Sequence, residues 1–261
     1  MRNVAVALWH IEVSHYSEKA RWALDYKGIA HELRVPMPGL HPLTALRITR
    51  GKHRRLPVME LDGRRIGDST AIIAALEEYA PDPPLYPADE GGRRRALALE
   101  EWFDEQLGPE TRRFVWHHTL ADTDVVARTL FQEPGSVRER VLRASAPVAG
   151  VAVRRDYGVT AQSAARARDR VVAALDKLEA ELGPSGYLVG ERFSVADLTA
   201  ATLFTPVVAP PGRPFAPPVR VPAVQDLRDE LMARPGGQWI ERMYAQHRHG
   251  PRVEEPHAVG G

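Results

Sequence analysis

Short alternating runs dominate the first third of the chain, and helical spacing dominates the rest. Val4-Ala5-Val6-Ala7-Leu8-Trp9 reads as a strand. Ala20, Ala23 and Leu24 then share one face of a helix that Gly28 closes. From Ala30 to Val35, His31, Leu33 and Val35 alternate with Glu32 and Arg34, the period of a half-buried strand. Val58-Met59-Glu60-Leu61 and Arg64-Arg65-Ile66 are two more extended runs, and the Asp62-Gly63 between them suits the positive φ angles of a two-residue hairpin turn. Ile72, Ile73, Leu76 and Tyr79 mark a helix from Thr70 that stops at Pro81. The predicted order is βαβ followed by ββα. Pro36, Pro38, Gly39, Pro42 and Gly51 predict an irregular loop over residues 36–54.

Four prolines in the seven residues from Pro81 to Pro87 read as an extended linker. Beyond it the pattern is helical: Arg94 to Leu107, then a broken helix through Phe114, Trp116 and Leu120. Residues 121–160 give only two short helical patterns, broken by Pro134-Gly135 and Pro147. Val171, Leu175, Leu178 and Leu182 recur at helical spacing until Gly183-Pro184. Ser194 and Asp197 form a capping-box variant ahead of an apolar helix that Pro206 is expected to end. Seven prolines between Pro206 and Pro222 predict a long loop, and Val224–Met232 and Gln238–Tyr244 two last helices. The expected organisation is an α/β domain over 1–80, a linker over 81–92, an all-α domain over 93–247 and a flexible tail over 248–261.

With 261 residues and 44% apolar content, the chain is long enough for two modest domains or one large one. Its 35 basic and 34 acidic side chains nearly cancel, so no overall field favours nucleic acid or an anionic membrane. The pairs Arg112-Arg113 and Arg154-Arg155 and the run Arg93-Arg94-Arg95 read as solvated helix faces. The absence of cysteine excludes disulfides, thiolate metal sites and a cysteine nucleophile. The N-terminal run is too short for a signal peptide or a membrane span, which makes a cytoplasmic address the expectation. Neighbouring His117 and His118 diverge by about 100° on a helix, so no metal site is expected there.

Leu56-Pro57-Val58, the Asp-Gly hairpin, Gly67-Asp68-Ser69-Thr70-Ala71-Ile72 and the Ser194/Asp197 box together resemble the glutathione S-transferase superfamily. The resemblance implies a thioredoxin-like domain followed by a helical-bundle domain of the glutathione transferase type. It also implies a cis Pro57, a Leu56 main chain that pairs with the cysteinyl backbone of glutathione, and Asp68 and Ser69 at the γ-glutamyl end. On local chemistry alone, Ser69 is expected to cap its helix, whose free N–H groups and dipole would form an anion site. Lys52 or Arg55 would meet the glycyl carboxylate, and the choice between them is open.

Serine-type members of the family use a serine just after the first strand to donate to the thiol, and Ser14 stands there. A hydroxyl donor and a helix N-terminus would stabilise a thiolate whose free pKa is about 8.5. His10 is the second choice and Ser17 the third, with Tyr16 a further neighbour. Trp102 and Trp116 are core aromatics by composition, while the family places such residues in the pocket for the electrophile. The resemblance thus implies an enzyme that transfers alkyl or aryl groups, with glutathione or another low-molecular-weight thiol as cosubstrate and no metal. Its partners would be an electrophilic small molecule and a second copy in a homodimer, and its role detoxification. A thiol-dependent isomerase or lyase, or a non-catalytic binding or assembly module, are the alternatives on the same fold.

Overall fold

A computed structural model of the chain describes residues 6–37, 40–122, 125–126, 150–215 and 221–248. The N-terminal half runs β1 (Val6–Trp9), α1 (His15–Tyr26), β2 (Glu32–Arg34), α2 (His41–Ile48), β3 (Val58–Leu61), β4 (Arg64–Gly67) and α3 (Ser69–Tyr79). The sheet order is β2-β1-β3-β4, with β1 parallel to β2 and antiparallel to β3, and β4 antiparallel to β3. This is the thioredoxin-like arrangement. Asp62 and Gly63 turn the hairpin at φ of 47° and 79°, as the dipeptide requires. Val6, Leu8, Met59 and Leu61 bury one sheet face with Trp22 and Leu24 of α1 and Ile72, Ile73 and Leu76 of α3.

The loop expected over 36–54 contains the helix α2. Pro42 lies in its first turn, where the missing N–H is no loss, so proline does not break it. Ala45 and Ile48 of α2 pack on Leu56 and Val58, which fixes the start of β3 from below.

Among the described residues the helical half includes α4 (Glu90–Gln106), α5 (Gly108–Thr119), α6 (Ala161–Glu181), α7 (Val195–Leu203), α8 (Thr205–Val208), α9 (Pro222–Met232) and α10 (Pro235–His247). Most of 121–160 lies outside the described residues, as do 249–261. The linker is held rather than loose: Lys27 Nζ donates to the carbonyls of Ala80 and Pro83, and Glu77 accepts from the Leu85 and Tyr86 amides. Asp197 is fully buried and accepts from the Leu188 and Ser194 amides and the Ser194 hydroxyl, so the capping box pins both the helix and the turn before it. Pro206 does not end a helix as expected; it lies in the first turn of α8, after α7 has closed at Leu203.

A buried polar seam joins the halves. Lys19 Nζ lies 2.8 Å from Glu100 and 2.6 Å from Asp104, and 3.0 Å from the Thr70 hydroxyl, so α1, α3 and α4 converge on one ammonium. Arg248, the first residue of the expected tail, packs against α1. It is buried, with Nε 2.7 Å from Glu18 and Nη1 2.5 Å from Asp25 of α1.

Candidate functional site

Strand register gathers the predicted site at one end of the sheet. Val58 pairs with Gly67, so Leu56 and Pro57, just before Val58, lie beside Asp68 and Ser69, just after Gly67. Val58 also pairs with Trp9, which brings the loop from His10 to Ser14 to the same end. The Leu56-Pro57 peptide is cis, and the Leu56 amide and carbonyl meet no hydrogen-bonding partner among the described residues. Gly67 has no room for a side chain, since a Cβ there would lie 2.5 Å from the His53 ring.

The cap of α3 differs from expectation. Asp68, at a φ of 77°, is the N-cap; its Oδ1 accepts from the amides of Thr70 and Ala71 at 2.9 and 3.2 Å. Ser69 is therefore the first residue of the helix. Its hydroxyl and amide engage no protein group among the described residues, although the side chain is buried. Aspartate caps here because its short carboxylate reaches back over the first turn. The outcome is an open N–H and hydroxyl at a helix N-terminus, at the same end of the sheet as the open main chain of Leu56.

Ser14 caps α1, accepting weakly from the Ser17 amide at 3.3 Å, and is only half-buried. Its loop is held from several directions. Arg21 donates to the carbonyls of Ile11 and Glu12, Arg213 donates to the Val13 carbonyl at 2.7 Å, and the Ser17 hydroxyl accepts from the Ile11 amide. Ser17 is thus committed to the backbone. His10 is fully buried; Arg21 donates to its Nδ1 at 2.6 Å, which leaves the proton of the neutral ring on Nε2. Burial first, and the neighbouring Arg21 charge second, lower its pKa to about 3.

The neighbours of Ser14 meet the helical half. His15 donates from Nε2 to the Gly108 carbonyl at 2.9 Å, and burial holds its pKa well below the ordinary range. Tyr16 donates to the Asp104 carbonyl, and burial raises its pKa. Gly108 is required at this crossing, since a Cβ would collide with the Tyr16 hydroxyl.

Other predicted residues fall at varying distances from this centre. Lys52 is exposed, and Arg55 is exposed, paired loosely with Asp156 at 3.7 Å and set over the Tyr157 ring. Trp102 stands edge-on to Phe103 beneath Lys177 of α6, two positions from both Glu100 and Asp104 and so on the opposite side of α4 from the Lys19 seam. Trp116 is half-buried one turn beyond Arg112 on the same side of α5. No group of metal-binding side chains occurs among the described residues, and none of their helices is long and apolar enough to cross a membrane.

Two further residues at the site carry no clear mark in the sequence. Arg213 lay in a stretch readable only as proline-rich, yet it is buried and crosses to the Ser14 loop; Phe215 follows it over Arg21 and beside His10. Arg112 was expected on a solvated face, but Tyr157 and Tyr16 cover its guanidinium and its Nε is buried. Its spacing from Trp116 was the one available signal.

Known proteins share this plan. Residues 8–84 match the glutathione S-transferase N-terminal domain, and residues 161–230 the glutathione S-transferase C-terminal domain. FtsZ-localized protein A of Caulobacter vibrioides is 27% identical over 208 residues, 76% of this chain and 75% of that protein. A maleylpyruvate isomerase of Ralstonia sp is 34% identical over 92 residues, 35% of this chain and 42% of that protein. The beta-etherase LigF of Sphingobium sp. strain SYK-6 has the same fold, with a TM-score of 0.61 and 21% identity over 91% of this chain and 99% of that one. Matched in both its α/β and its helical half, the chain belongs to the glutathione S-transferase superfamily.

Proposed function

We propose that this protein binds glutathione between Leu56 and Ser69, ionises its thiol at Ser14 and directs the thiolate at an electrophilic small molecule. The observation that carries the reading is the pairing of two open backbone sites: the main chain of Leu56 beside the free amide and hydroxyl of Ser69. A tripeptide can add to the first as a short strand, and its γ-glutamyl carboxylate can take the second. The resemblance assigns the glycyl carboxylate to Lys52 or Arg55. Ser14 supplies a hydroxyl at the N-terminus of α1, where thiolate charge is favoured. Binding and orientation at fixed donors account for the catalysis. The family resemblance brings with it a homodimer, a cytoplasmic address and a detoxifying role.

Three relatives favour other readings. The β-etherase and maleylpyruvate isomerase names support a lyase or isomerase in which the thiol adds and is later eliminated. The match to FtsZ-localized protein A across three quarters of both chains supports an assembly module. Calorimetric titration of reduced glutathione into wild-type protein and into Ser69→Ala tests the reading. Saturable binding weakened about tenfold by the substitution, the loss of a hydrogen bond to a charged group, is expected. No binding at millimolar glutathione would turn the assignment toward another thiol or the assembly module.

A further inference from the structure

The helical half brings an arginine with no matching anion against Tyr16, on the helix that Ser14 caps. Arg112 lies on α5, one turn past the Gly108 crossing where His15 and Tyr16 dock. Its guanidinium carbon is 4.1 Å from the Tyr157 ring centre and 5.9 Å from that of Tyr16, which is two residues from Ser14. Arg113 donates to the Tyr157 carbonyl and so holds that residue in place.

The neighbouring carboxylates are occupied. Asp156 pairs with Arg54 and Arg55, and Glu110 with Arg113 and Arg170. Among the described residues Arg112 makes no ion pair and no hydrogen bond, and its Nε is buried without a partner. A guanidinium cannot shed its proton to relieve the burial of Nε. Aromatic rings attend its faces, while its N–H edge is the part that grips a carboxylate through two parallel hydrogen bonds.

We infer that Arg112 is the specificity residue of the pocket and selects an electrophile that carries a carboxylate. The inference builds on the thiol-site reading for the word electrophile, whereas the anion site itself stands on Arg112 and its tyrosines. Glutathione has carboxylates of its own, so the test separates their contribution from that of the second substrate.

The experiment titrates cinnamate and its neutral counterpart cinnamide, neither of which needs the thiol site, into wild type, Arg112→Gln and Arg112→Lys by calorimetry. Glutathione is titrated into the same three proteins. Wild type should favour cinnamate by about tenfold or more, the worth of a charged hydrogen-bonded pair. Arg112→Gln should abolish that preference while leaving glutathione affinity unchanged, and Arg112→Lys should recover only part of it. Thermal melting serves as the second readout: removing a half-buried, unpaired cation leaves the melting temperature unchanged or raises it, whereas removing a structural arginine lowers it. Equal affinity of wild type for cinnamate and cinnamide, a fall in glutathione affinity in Arg112→Gln, or a clear loss of thermal stability would each overturn the inference. Preference for cinnamate without any glutathione binding would uphold the anion site and count against the thiol reading alone.

Discussion

Arg213 donates from Nη2 to the Val13 carbonyl, 2.7 Å away, so a residue of the helical half holds the backbone immediately before Ser14. Its Nη1 is tied in turn to the Thr205 carbonyl at the start of α8. With Arg21 on the two preceding carbonyls, the loop that presents the Ser14 hydroxyl is anchored by side chains from both halves.

Arg213→Gln should therefore loosen Ser14 without touching any ligand. The expected effect is a rise of about one unit in the pKa of bound thiol, equivalent to roughly 1.4 kcal/mol, with glutathione affinity little changed. Thiolate absorbance against pH, read beside a binding titration, checks this. Weakened binding with an unmoved thiol pKa would mean that Arg213 shapes the pocket instead.

Lys19 is the hub of the seam between the halves. Replacing it with methionine strands Glu100 and Asp104 without their cation, a loss of about 3 to 5 kcal/mol for a buried pair broken on one side. Chemical denaturation should show an earlier midpoint. Adding Glu100→Gln should restore part of it, because burial already raises the pKa of Glu100.

Acid should destabilise the fold through His10. Its folded pKa of about 3 lies below the ordinary 6.5, so the unfolded chain takes up a proton that the folded one refuses. Stability is full above pH 6.5 and falls by about 1.4 kcal/mol per pH unit between 6.5 and 3. His15 acts in the same direction. Asp197, raised to about 6 by burial, acts in the opposite direction: the folded state keeps its proton longer, so acid favours folding between pH 6 and the ordinary carboxylate range. His10→Asn retains an acceptor for Arg21 and should flatten the acid limb in denaturation curves taken from pH 7 to 4.

How far the sequence speaks for this structure depends on the range of the interaction involved. Asp62-Gly63 and Ser194/Asp197 were legible because a turn and a capping box are decided within four residues. The helix α2 was obscured by Pro42, since composition does not distinguish a proline in a first turn from one that breaks a helix. Ser69 and Asp68 exchanged roles at the cap because either side chain can accept from the first free amides, and backbone angle decides. Arg213 and Arg248 are buried, and Arg112 half-buried, against segments far away in sequence, whereas the local charge pattern around each resembles that of a solvated arginine.

The proposed ionisation of the bound thiol at Ser14 is read most directly by ultraviolet thiolate titration of glutathione bound to wild type, Ser14→Ala and Ser17→Ala. Wild type should ionise the thiol about two units below its free value near 8.5, about 2.7 kcal/mol of thiolate stabilisation. Ser14→Ala should return most of that shift, and Ser17→Ala should mainly lower stability by leaving the Ile11 amide unpaired, at a cost of about 1 to 3 kcal/mol. A thiol that ionises at the same pH in wild type and Ser14→Ala would contradict the account.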